Sequence, residues 1–132
     1  MATAVRHPLV ANQVENHPYL DQSKLRQCCA DLGMALIAYC PLYKGGRLFE
    51  EPDVVDMAKA KGKTAAQIIL RWHLQHDGAG AIPKTATPGR LQENIDIFDF
   101  ELSARDMAAL SALTVSNSRL CDYDGSPDWD RP

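Results

Sequence analysis

Apolar residues recur along this chain with a period that switches between two and between three and four. Leu9 to Glu15 (LVANQVE) alternates loosely, carries branched residues and no glycine, and gives way to His17-Pro18. This pattern reads as a buried strand. On strand parity Leu9, Ala11, Gln13 and Glu15 share one face, so polar groups gather at the C-terminal end. From Asp21 the spacing turns helical through Leu25, Cys28, Cys29 and Leu32, and Gly33 supplies the stop. Met34 to Tyr39 (MALIAY) is a second buried strand, ended by Cys40-Pro41. A glycine-bearing loop from Leu42 to Gly46 leads to a short helix, Pro52 to Lys61, and a stronger one, Thr64 to His76, whose apolar face is Ala65, Ile68, Ile69 and Trp72. A third strand spans Ala79 to Pro83. The helix after it opens with Thr87 as N-cap and Pro88 in the first helical position, and runs to Ile95. The last helix follows Leu102, with Ser103 and Asp106 at capping-box spacing and Met107, Leu110 and Leu113 facing the core. Asn117 to Pro132 is a tail of turn residues with two lone aromatics, Tyr123 and Trp129.

Strand and helix alternating three times over predicts an α/β fold of parallel strands covered by helices. Such folds take ligands beyond the C-terminal ends of their strands. The three ends here carry Gln13 with Glu15, Tyr39 with Cys40, and Lys84 with Thr85, converging on one rim. The last is the most informative. A strand, a short loop and a helix N-terminus outline an anion site, because the unpaired N–H groups of the first turn and the positive end of the helix dipole face the loop. Lys84, Thr85 and Arg90 add two cations and a hydroxyl, and Glu93 and Asn94 share the helix face of Arg90. A capped surface helix with scattered charges has the same local sequence. The alternation of the whole chain favours the ligand.

Composition narrows the partner. The 132 residues suit a single domain, and a net charge of −3 without a basic stripe speaks against nucleic acid. No apolar run approaches a membrane span and residues 1–8 lack a secretory h-region, so no membrane partner and a cytoplasmic protein are expected. Cys28, Cys29, Cys40 and Cys121 have no C-x-x-C spacing, and reduced, mostly buried thiols are expected. His73 and His76 are three apart on one helix with no third ligand nearby, and read as surface histidines; no metal site is expected.

The segments Asn12-Gln13-Val14-Glu15-Asn16-His17-Pro18-Tyr19-Leu20, Ala38-Tyr39-Cys40-Pro41-Leu42, Leu70-Arg71-Trp72, Ile82-Pro83-Lys84-Thr85 with Arg90 and Glu93-Asn94, and Phe98-Asp99-Phe100-Glu101-Leu102-Ser103 resemble the aldo-keto reductases. The likeness runs in order over nearly the whole chain. It is nearest to bacterial 2,5-diketo-D-gluconate reductase-like members, whose tails end near a pattern such as Asp128-Trp129-Asp130. The resemblance implies a (β/α)8 barrel that transfers hydride from NADPH to small aldehydes and ketones. It implies that Tyr39 stacks on the nicotinamide, Gln13 binds its carboxamide, and Leu42 lies against the cofactor's phosphates. Lys84, Thr85 and Arg90 hold the adenosine 2′-phosphate on the same reasoning, and Glu93 and Asn94 meet the adenine. Cys40 stands where the family commonly has serine and is a weaker hydrogen-bond partner. Tyr43 stands where relatives often have glycine.

A barrel of this kind needs roughly 250 residues and eight strands. The chain resembles the sixth to eighth units and tail, residues 116–132 forming the C-terminal substrate loop. By the same resemblance the catalytic Asp, Tyr, Lys and His, and a Gly-x-Ser-Asn segment that touches the nicotinamide, belong to earlier units and are absent here, so the 132 residues alone are expected to be inactive. His17 reads as structural, and Tyr19 and Tyr39, without a positioned lysine, as poor proton donors. Trp129 fits either a wall of the substrate pocket or a packing anchor. Three strands without neighbours would leave two open edges, so self-association or an N-terminal partner chain is expected. The alternatives are a non-catalytic NADPH-binding or regulatory module and a truncated inactive remnant.

Overall fold

The computed structural model describes residues 7–126. Strands β1 (Ala11–Glu15), β2 (Ala35–Tyr39) and β3 (Ala79–Ala81) form one parallel sheet in the order β1-β2-β3. Helix α1 (Ser23–Asp31) connects the first two strands, and α2 (Pro52–Lys61) and α3 (Ala65–Leu74) connect the second to the third. Helices α4 (Pro88–Ile95) and α5 (Ala104–Ala112) follow, and 3-10 turns occupy Gly46–Glu50 and Leu113–Ser116. The parallel α/β expectation holds.

Local chemistry sets the ends. At α3 the Thr64 hydroxyl accepts from the Gln67 N–H at 3.2 Å while the Gln67 side chain accepts from the Thr64 N–H at 3.0 Å. Ser103 and Asp106 do the same at α5. Each reciprocal cap satisfies two otherwise orphaned donors, and losing such a cap costs about 1 kcal/mol. Helix α2 stops at Gly62, whose φ of +63° no branched residue would tolerate cheaply.

The main core lies among α2, α3 and α5, where Leu48, Val54, Ile68, Ile69, Trp72 and Leu110 are all sealed from solvent. The sheet is covered on one face, the one carrying buried Leu36 and Ala38, with α1 packed on β2 and α3 on β3. The other face is open: Gln13 is exposed, Ile37 and Tyr39 are half-buried, and Ile82 beyond β3 is 48 % exposed. Register puts Gln13 beside Ile37 and Ile37 beside Gly80. A Cβ at Gly80 would stand 3.0 Å from Ile37 Cδ1, so a larger residue there would oblige that methyl to shift.

Three expectations need correction. The stretch from Leu9 to Glu15 is not a buried strand: β1 begins at Ala11, lies at the sheet edge, and leaves Leu9, Val10 and Ala11 exposed because no strand flanks it among the described residues. The thiols are free but not mostly buried. Cys29 is enclosed, Cys40 and Cys121 are half-buried, and Cys28 is exposed on the outer side of α1. His73 and His76 are not surface histidines: burial around α3 takes in Ala66, Gln67, Leu70 and His73 beyond the apolar stripe, and His73 has no exposed surface at all. Among the described residues no helix is long and apolar enough to cross a membrane and no cluster has the makings of a metal site.

Candidate cofactor site

The parallel sheet brings all three strand ends to one rim, with Glu15 beside Tyr39 and the Ile82 N–H bonded to the Ala38 carbonyl at 3.0 Å. Glu15 is the rim's fixed point. Its carboxylate is buried and accepts hydrogen bonds from Leu120 N–H at 2.6 Å and Cys121 N–H at 2.9 Å, with His17 Nε2 at 2.9 Å. Burial pushes its pKa up, but the His17 contact and the two backbone N–H groups outweigh that and hold it below the usual glutamate value. His17 is thereby committed to structure, buried and held edge-on by the Tyr43 ring at 4.8 Å.

The phenols at the rim are held protonated. Tyr19 donates to Glu51 from a buried position, and burial followed by that carboxylate pushes its pKa upward. Burial, then Cys121 and Glu15, also raises that of Tyr39. Tyr39 keeps a half-buried ring at the end of β2 on the open face, with exposed Gln13 on the neighbouring strand. Cys40 and Leu42 follow, half-buried, in a loop whose backbone is unusual. Cys40, Tyr43 and Lys44 all have positive φ, at +49°, +53° and +57°.

Beyond β3 the chain runs through Lys84 and Thr85 into α4. The Thr85 hydroxyl accepts from the Thr87 N–H at 3.1 Å, a local turn that shapes the approach. Thr87 is the N-cap by position but its side chain makes no capping bond. Lys84 and Arg90 are both exposed, and neither pairs with a carboxylate among the described residues. The other end of α4 is tied down: buried Gln67 donates to the carbonyls of Glu93 at 3.1 Å and Asp96 at 2.9 Å, and the Glu93 carboxylate accepts from the Thr64 hydroxyl at 2.7 Å. Asn94 is half-buried. Two uncommitted cations, a hydroxyl and an open helix N-terminus fit a phosphate-bearing cofactor. Trp129 lies outside the described residues.

Sequence reasoning passed over two residues here. Gln67 positions α4, and its capping-box spacing to Thr64 was the available signal. Asn16 is buried beside the rim with both amide atoms unpaired, and no periodicity marks it.

The sequence profile of the Aldo/keto reductase family matches residues 1–114. The chain belongs to the aldo-keto reductases. An aldo-keto reductase of Mycobacterium sp. (strain KMS) is 49% identical over 102 residues, 77% of this chain and 36% of its own length. Glyoxal reductase of Bacillus subtilis (strain 168) is 47% identical over 106 residues, 80% of this chain and 37% of its own. Among solved structures, a protein assigned as a 2,5-diketo-D-gluconic acid reductase B superposes with a TM-score of 0.93 at 41% identity, covering 98% of this chain and 46% of that one. A variant of Gox0644 in complex with NADPH superposes with a TM-score of 0.81 at 34% identity, covering 91% of this chain and 44% of its own. This aldo-keto reductase chain therefore spans between a third and a half of the length of the relatives it matches.

Proposed function

We propose that this chain is the C-terminal part of an NADPH-dependent aldo-keto reductase, forming three consecutive units of a (β/α)8 barrel and carrying the cofactor's 2′-phosphate site. The observation that carries the reading is the pair of uncommitted cations, Lys84 and Arg90, flanking Thr85 at the mouth of α4. The two cations attract the phosphate and the Thr85 hydroxyl donates to it, which favours NADPH over NADH. Glu93 and Asn94 on the same helix line the adenine side, Gln13 binds the carboxamide, and Tyr39 offers its ring to the nicotinamide with Cys40 and Leu42 beside the phosphates. Bound NADPH supplies the hydride that reduces a small-molecule aldehyde or ketone.

The chain's own rim residues bind and orient but do not deliver a proton. The phenols of Tyr19 and Tyr39 are pushed away from neutral titration, and His17 is spent on Glu15. The proton donor and its activating lysine and aspartate come, in this reading, from strands outside these residues, in a continuous longer chain or an N-terminal partner. The open sheet face supports such a completion, because Ile82 is exposed and Ile37 and Tyr39 are only half-buried there.

Calorimetric titration tests the reading. The chain is expected to bind NADPH saturably and more tightly than NADH, and Lys84→Ala with Arg90→Ala is expected to weaken NADPH by roughly 10- to 100-fold while leaving NADH nearly unchanged, two charge-assisted contacts being worth that much. Folded protein that ignores NADPH would reject the site. Binding without turnover, in the chain as part of its full assembly, would favour a regulatory module over a reductase.

A further inference from the structure

A cavity of about 320 Å³ opens at the N-terminal ends of β2 and β3, the end of the sheet opposite the Glu15–Tyr39 rim. Its wall is drawn from α1, from the turn that carries Gly33 and Met34 into β2, and from Asp77 and Gly78 before β3. Backbone hydrogen bonds fix this wall. Helix α1 ends in a paired turn: the Met34 N–H donates to the Cys29 carbonyl at 2.8 Å and the Gly33 N–H to the Ala30 carbonyl at 3.0 Å, with Gly33 at a φ of +66°. The Leu36 N–H donates to the Gly78 carbonyl at 2.9 Å and ties the loop before β3 to β2.

The lining is apolar except for two charges, Arg26 and Asp77. Asp77 is exposed to solvent. Arg26 is half-buried and forms no salt bridge among the described residues, Asp21 attracting it only from beyond ion-pair distance. Its Nη1 is removed from water and has no hydrogen-bond partner. A guanidinium carries five N–H donors and no acceptor, so an unpaired one taken out of water is a cost that only an acceptor relieves. The end of α1 does not supply one, since the Cys28, Cys29 and Ala30 carbonyls already accept from Leu32, Met34 and Gly33.

We propose that this cavity binds a small organic monocarboxylate, its carboxylate on Arg26 and its apolar body against Met34 and Leu36. A carboxylate matches the planar fork of a guanidinium with two parallel hydrogen bonds, which a single neutral oxygen cannot do. Asp77 puts a negative charge on the same lining, so one negative charge is admitted and a phosphate dianion is opposed. The volume is at the low end for ligand cavities and suits a short aliphatic or aromatic acid. The site uses no residue of the proposed cofactor site, so its test is independent of that reading.

Octanoate is titrated into the full isotope-labelled chain and followed by amide shifts, with octanol and inorganic phosphate run in parallel. The expected result is saturable movement of the Ala30, Gly33, Met34 and Gly78 amides while those of Gln13, Tyr39 and Lys84 stay in place. Octanol keeps the apolar chain without the charge and binds about tenfold or more weakly, and phosphate moves none of these amides. Arg26→Gln weakens octanoate by a similar factor and leaves the far-UV spectrum unchanged. Should that variant fold poorly, the difference between octanoate and octanol on the wild-type chain decides alone. Octanoate that moves no cavity amide, octanol that binds as tightly, phosphate that moves the same amides, or a folded Arg26→Gln chain with full affinity overturns the proposal.

Discussion

His73 carries more of the pH response than any sequence pattern announces. Its Nε2 lies 3.1 Å from the Pro41 carbonyl, which can only accept, so the ring is the Nε2–H tautomer and Nδ1 is left without a partner. Complete burial pushes its pKa down to about 3, and burial followed by the positive charge of Arg26 pushes His76 to about 4. The folded chain therefore binds fewer protons than the unfolded one below the ordinary histidine value of 6.5. That contribution to stability is whole above this value and is lost as the pH falls toward about 3. Urea unfolding is expected to show a loss of about 2 kcal/mol from His73 between neutral pH and about pH 5, with a shallower slope in His73→Gln. An equal slope in the variant would assign the effect elsewhere. The spacing of His73 and His76 placed them on one side of a helix but could not say that this side was covered. The buried arc of α3 is wider than its four apolar positions. The places of Lys84 and Arg90 at the mouth of α4 were legible for the opposite reason: a proline in the first helical turn and a lysine after an apolar run announce their own geometry.

At the scale of elements, most boundaries marked by proline or glycine were readable, though β3 stops at Ala81, two residues short of the expected Pro83. Helices α2 and α4 begin at the prolines and end where expected. The loop from Cys40 to Gly46 was not readable, because Cys40, Tyr43 and Lys44 are not residues that advertise positive φ. Each L-residue there costs on the order of 1–2 kcal/mol. Tyr43 offsets that with ring contacts to His17 and Tyr19 at 4.8 and 4.9 Å and a hydrogen bond to Ser118. Lys44 is exposed and has no comparable contact among the described residues. Lys44→Gly is expected to stabilise the chain by about 1 kcal/mol, read as a higher Tm, whereas Tyr43→Gly, relieving the same strain, should lower it. A Tm that falls in Lys44→Gly would show that the loop's shape is not strained there.

For the molecule as a whole, the alternation of strands and helices gave the parallel sheet, but periodicity is blind to which face stays open. Helices cover Leu36 and Ala38, leaving Ile37 and Ile82 on the other side and both outer strands unpaired within the described residues. Light scattering after size exclusion is expected to give a mass above the monomer that rises with concentration, and Ile82→Lys is expected to reduce it without loss of helical signal. A monomer at every concentration would mean that the open face is tolerated in water. Glu15 adds an order of events. Its hydrogen-bond partner Leu120 is 105 positions away, so a chain emerging from the ribosome has β1, and its carboxylate, long before the amides that receive it. A contact across that separation carries a large loop-closure cost, so the Glu15 hydrogen bonds to Leu120 and Cys121 are expected to close after the local elements have formed.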